Sequence, residues 1–99
     1  MDIEQFQKNL ENNVTLVDFN ATWCAPCKAQ EPVIKYLMGK YQDRAFIIEI
    51  DIDKHRDLAT KYMVQSIPTL IIFKDGKEIK RLIGLQSKAI ISKSLDKVL

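Results

Sequence analysis

Soft metal ligands are scarce in this chain: two cysteines and one histidine among 99 residues. Structural zinc takes four ligands, usually from paired Cys or His clusters. His55 stands alone among Lys54, Arg56 and Asp57 and reads as a solvated side chain. A zinc site would therefore need two carboxylate ligands or a second copy of the chain. Long apolar runs are also missing, and none approaches the ~20 residues that cross a bilayer as a helix. The 15 basic and 13 acidic residues are spread along the chain, for a net charge of +2. That is not the clustered basic face expected of a nucleic-acid or membrane surface. No glycine-rich dinucleotide fingerprint is present, so no bound cofactor is expected. Repeats, linkers and low-complexity segments are absent. The start, Met1-Asp2-Ile3-Glu4-Gln5, is acidic and polar, unlike a secretory signal. The expectation, for a complete chain, is a reducing cytoplasm, where surviving disulfides are usually transient and catalytic.

What is present fits one domain, residues 1–99, 46% hydrophobic and 28% charged. A chain of this size can build a core without disulfide staples. The cysteine pair is therefore free for chemistry, and a ring closed over two residues would constrain the unfolded chain little.

Both cysteines lie in Trp23-Cys24-Ala25-Pro26-Cys27-Lys28. The apolar run Val14 to Phe19 leads in and the amphipathic run Lys28 to Tyr41 leads out, which predicts a strand, a tight turn and a helix start. A cysteine at a helix N-terminus meets unpaired N–H groups and the positive end of the helix dipole, and both favour thiolate. Pro26 suits a first turn, where its missing N–H costs nothing. Two cysteines at this spacing can form a small disulfide ring and exchange two electrons through a mixed disulfide. Cys24, at the helix tip, is expected to be the more exposed nucleophile. Cys27, one turn deeper, is expected to be the buried resolving thiol.

Along the chain, Ile3, Phe6 and Leu10 predict a helix over 3–11, with Asp2 as its N-cap. Val14 to Phe19 reads as a central strand covered on both faces. Ala29, Val33, Ile34, Leu37, Met38 and Tyr41 mark the buried side of a helix from Cys24 to Tyr41, with Pro32 inside it. Residues 45–52 form a second, parallel strand. Asp53 is expected to cap a short helix carrying Leu58, Ala59, Tyr62 and Met63. Thr69 to Phe73 and Glu78 to Ile83 form a hairpin about Asp75-Gly76. Ser87 caps a last helix with Ile91, Leu95 and Val98 on one face. The fold class is α/β, with helices on both faces of a mixed sheet. Asp18 interrupts the first strand, on the face of Val14 and Leu16. A carboxylate buried there is costly and tends to hold its proton. The bland alternative is a strand-end aspartate bonded to backbone.

On these features the chain resembles the thioredoxin family over nearly its whole length. The matching segments are Val17-Asp18-Phe19, Ala21-Thr22-Trp23-Cys24, Pro26-Cys27-Lys28, Ile67-Pro68-Thr69 and Phe73-Lys74-Asp75-Gly76, in that order. The resemblance implies a thioredoxin fold with four clear strands, the family's usual first strand being short or missing. It places Asp18 beneath Cys27 as proton acceptor and donor. It makes the Ile67–Pro68 bond cis, where base rates alone give ~5–6%, and sets that loop against the cysteines. The Ile67 backbone would then pair with an extended substrate. Trp23, Ala25, Pro26 and Gly84 would line the same groove, with Lys28 adding positive charge unless it is merely solvated. In three places the chain departs from the family pattern: Ala25 replaces a usual glycine, Asn20 a frequent tryptophan and Glu49 a frequent lysine. If Glu49 projects toward Asp18 rather than to solvent, like charge raises the Asp18 pKa.

The function these readings imply is reduction of protein disulfides by a monomeric cytoplasmic oxidoreductase. By resemblance its partners are disulfide-containing proteins and a flavin- and NADPH-dependent thioredoxin reductase, with no nucleic acid or membrane. The alternatives are a redox-independent binding module, or a disulfide oxidase or isomerase on the same fold.

Overall fold

The computed structural model describes residues 3–99. Helix α1 (Ile3–Asn12) precedes strand β1 (Val14–Asn20). Helix α2 (Ala25–Lys40) leads to β2 (Phe46–Asp51), and α3 (Arg56–Lys61) to the hairpin of β3 (Thr69–Lys74) and β4 (Lys77–Ile83). Helix α4 (Lys88–Asp96) closes the chain. The expected cap Asp2 lies outside the described residues.

The four strands form one mixed sheet in the order β2-β1-β3-β4. β1 pairs parallel to β2 and antiparallel to β3, and β3 pairs antiparallel to β4. β1 is buried along both faces from Val14 to Phe19, in keeping with the apolar residues it carries on each face. Alternation divides the core. Val14 and Leu16 face Ile34 and Leu37 of α2 and Ile91 and Leu95 of α4. Val17 and Phe19 face Phe6 and Leu10 of α1 and Leu58 of α3. Asp18 continues the Val14–Leu16 row, so it lies on the sheet face that α2 covers.

Local chemistry explains most boundaries. Asp75 and Gly76 both take positive φ, +51° and +85°, the pairing that a two-residue hairpin turn demands and Asp-Gly supplies. The Ser87 hydroxyl accepts the Ile90 N–H and caps α4. At the other end of α2, the buried Tyr41 hydroxyl donates to Asp96 Oδ1 at 2.8 Å and ties α2 to α4.

Three sequence expectations are corrected. Ala29 is exposed, and the buried position beside it belongs to Gln30. Asp53 does not cap α3: His55 holds the N-cap position without a side-chain bond, and α3 starts later. Met63 lies past α3, 74% exposed, at φ +52°. Its left-handed backbone closes α3, the Met63 N–H donating to the Thr60 carbonyl and the Val64 N–H to the Ala59 carbonyl, while the Arg81 guanidinium donates to the Tyr62 and Met63 carbonyls.

Candidate active site

Cys24 occupies the N-cap position of α2 in an extended conformation. There its Sγ accepts the Cys27 N–H at 3.3 Å, one of the donors that an α-helix leaves unpaired at its start. Pro26 sits in the first turn, where it removes no helical bond. The two sulfurs are joined as a disulfide. Exposure does not separate them as the sequence suggested, since Cys24 is 6% and Cys27 4% accessible. What distinguishes Cys24 is its place: its Sγ faces the helix terminus and lies 3.8 Å from the Ile67 carbonyl oxygen. In the dithiol form a thiol there can donate to that oxygen. Among the described residues, no group of three or more His, Cys, Asp or Glu is arranged to hold a metal ion.

Ala21, Cys24 and Cys27 form a small apolar cluster with Ile52 and Ile67. The Ile67–Pro68 peptide is cis, and the Pro68 carbonyl accepts the Gly84 N–H at 2.8 Å. Gly84 has φ +88°, with open space where a Cβ would stand. Trp23 is 67% exposed, with Ala25 and Pro26 beside it on the surface. Asp53 holds the Trp23 ring, accepting from indole Nε1 at 2.8 Å. The sequence hid that role, because an acid after a strand reads first as a cap. The exposed apolar side chains Trp23, Ile83 and Leu85 are thus carried on the segments that the predicted groove residues occupy.

A second feature adjoins Cys27. A crevice of about 300 Å³ is lined by Asn20, Cys27, Lys28, Glu31 and Glu49, among others. Glu49 pairs with Asp18 across the parallel β1–β2 register, on the same sheet face as Ile47 and Asp18. One Glu49 oxygen and both Asp18 oxygens are buried without a hydrogen-bond partner among the described residues. Burial pushes the Asp18 pKa up to about 7, and the like charge of Glu49 adds to the rise. Asn20 opposes the rise without giving either oxygen a bond of normal geometry. Burial also raises Glu49, reinforced by Glu31 and opposed by Lys35. Glu31 was not foreseen. It looks like half of a solvent-facing pair with Lys35, 3.4 Å away, until the fold sets it across from Glu49.

The thioredoxin family model matches residues 1–97. A thioredoxin of Staphylococcus haemolyticus is 46% identical over 92 residues, covering 93% of this chain and 88% of that one. One of Staphylococcus epidermidis is 47% identical over the same spans. Among solved structures, a mutant thioredoxin from Halobacterium salinarum superposes with a TM-score of 0.87 at 33% identity, over 98% of this chain and 85% of that one. The oxidized mitochondrial thioredoxin of Saccharomyces cerevisiae gives 0.86 at 30%, over 97% and 90%. The chain belongs to the thioredoxin family. It is a thiol–disulfide oxidoreductase, a protein-disulfide reductase whose redox-active pair is the Cys-x-x-Cys disulfide. No helix among the described residues is long and apolar enough to cross a membrane.

Proposed function

We propose that Cys24 attacks the substrate disulfide, that Cys27 resolves the adduct and that Asp18 carries the resolving thiol's proton. The observation behind this is the Cys24 sulfur at the α2 terminus, receiving the Cys27 N–H and facing Ile67. Cys24 thiolate forms a bond to one substrate sulfur, the substrate S–S bond breaks, and the departing thiolate takes a proton. Cys27 then gives its proton to the Asp18 carboxylate and attacks the Cys24 sulfur, releasing the second substrate thiolate. Two electrons have left the protein as its own disulfide closes. Trp23, Ala25, Pro26, the Ile67–Pro68 backbone and Gly84 form the groove in which an extended substrate segment lies.

The chain acts in this reading as one cytoplasmic domain and a monomer, recycled by a flavin enzyme that draws electrons from NADPH. A coupled assay tests the electron supply. With such a reductase and a protein disulfide, NADPH consumption should depend on this chain and vanish in Cys24→Ser. Reduction that proceeds with dithiothreitol but never with NADPH and the reductase would remove that partner.

Glu49 modulates Asp18 from β2, with Glu31, Lys28 and Lys35 facing the pair from α2 and Asn20 from β1. Glu49→Lys replaces a like charge by an opposite one and favours the ionised Asp18. Its midpoint should fall below the parent value of about 7, and the acidic limb of the pH–rate profile should move down with it. NMR titration of the Asp18 carboxyl decides this; equal midpoints in parent and variant mean that the two acids do not communicate.

A further inference from the structure

Gln30 is a costly residue in its position. It lies on α2, three residues after Cys27, and is completely buried. A buried amide loses stability unless both of its polar ends are bonded, and an aliphatic side chain of similar length would fill the space without that requirement. Both ends are bonded here, and to the backbone of one residue. Gln30 Oε1 accepts the Gln86 N–H at 2.7 Å, and Gln30 Nε2 donates to the Gln86 carbonyl at 3.0 Å. The side chain thus pairs with Gln86 as a neighbouring strand would, across 56 residues of sequence.

The clamped residue lies two positions after Gly84. Gln86 also turns its own Nε2 back to the Ile83 carbonyl at 3.0 Å, and the Gly84 N–H is held by Pro68. Ile83 and Leu85 stand 61% and 54% exposed on this segment. Helix α2, the Ile67–Pro68 loop and the 83–86 segment are therefore joined by one chain of hydrogen bonds, which Gln30 enters from the active-site helix.

We propose that Gln30 is a positioning residue for protein substrates. It acts through Gln86 to set the Ile83–Gln86 rim at a fixed height against the cysteines. The inference rests on the groove reading given above. It separates two properties that share one site: docking of a folded protein along the rim, and the exchange chemistry at Cys24. By this account Gln30 acts without touching the substrate, through its two bonds to Gln86.

The test compares insulin, a protein disulfide that needs the rim, with the small aromatic disulfide DTNB, which does not. Gln30→Met keeps length and volume and removes both hydrogen bonds. Expected is a rise in KM for insulin of about ten-fold, the scale of one or two lost buried hydrogen bonds. The kcat and the DTNB rate should stay within about two-fold. Equal changes for both substrates would mean a general structural role and overturn the proposal. Gly84→Ala, strained by its positive φ, is the control for the groove. If it raises the insulin KM while Gln30→Met does not, this proposal alone fails; if neither does, the groove reading fails and takes the proposal with it. Amide exchange in the parent gives a check independent of any variant's folding. The Gln86 N–H should be protected well beyond that of Leu85, and equal rates would show that no clamp exists.

Discussion

Cys27→Ser should stop catalysis after one event per molecule. The substitution leaves the nucleophile's surroundings in place, because the donor that reaches Cys24 Sγ is the backbone N–H of residue 27, not its side chain. Cys24 should therefore still attack. A serine hydroxyl cannot displace a thiol from a disulfide, so the adduct has no internal exit. Mixed disulfides should accumulate to one per molecule, and steady-state reduction should be lost. Cys24→Ser should form few, since the remaining sulfur sits deeper on α2 and lacks the helix-terminal N–H contact. Mass spectrometry of trapped adducts reads the result. Equal trapping by the two variants would reverse or cancel the assigned order.

Asp18→Asn should make the protein more stable near neutral pH and slower at release. The folded-state pKa is raised, from 3.8 to about 7. Below the lower value both folded and unfolded chains are protonated, and Asp18 exerts no pH-dependent effect. As pH rises the unfolded chain ionises first, so the folded state holds the extra proton. Stability then falls with pH until the folded carboxyl also ionises, near 7. The loss amounts to about 4 kcal/mol in the parent above that pH. Glu49, also raised by burial, works in the same direction. An asparagine cannot ionise, and its burial cost resembles that of the protonated acid. The variant should therefore match the parent near pH 4 and exceed it by up to that amount near pH 8, in urea melts at each pH. Its mixed-disulfide release should be slower by ~10²-fold or more, the usual worth of a positioned proton acceptor, while the first attack by Cys24 changes little. A stability difference that does not vary with pH would show that Asp18 does not hold its proton in the fold.

Much of this was legible in the residues because the signals are local. The cysteine spacing, Pro26, the Asp75-Gly76 turn and the Ser87 cap each act on immediate neighbours. Asp18 was legible for a different reason: a carboxylate in an apolar strand has few places to go. What stayed hidden depends on contacts made across the fold. Periodicity put Ala29 on the inner face of α2, because Gln30 is polar and its partner is backbone far along the chain, invisible to any pattern of side chains. Glu31 carries no signal of its own in the sequence, since it acts on Glu49, further along the chain, only once the fold brings α2 against β2. Asp53 was read by its neighbours as a cap, and the indole that claims it comes 30 residues earlier. Met63 takes the left-handed position that ends α3, where its N–H bonds Thr60 and the Val64 N–H bonds Ala59, a place that glycine or asparagine usually marks in a sequence.

The middle place of β1 has a consequence for how the reaction centre fluctuates. Its backbone is paired on both sides, with β2 and with β3, from Thr15 to Phe19, and its side chains are covered above and below. Amides in such a strand trade their hydrogens with solvent only when much of the molecule opens, whereas loops and edges open locally. Asp18 is therefore mounted on a segment whose opening free energy approaches that of global unfolding, while Trp23 rides on a surface turn outside the sheet. In the proposed reaction, the proton that Cys27 gives up would thus be received on a stationary floor.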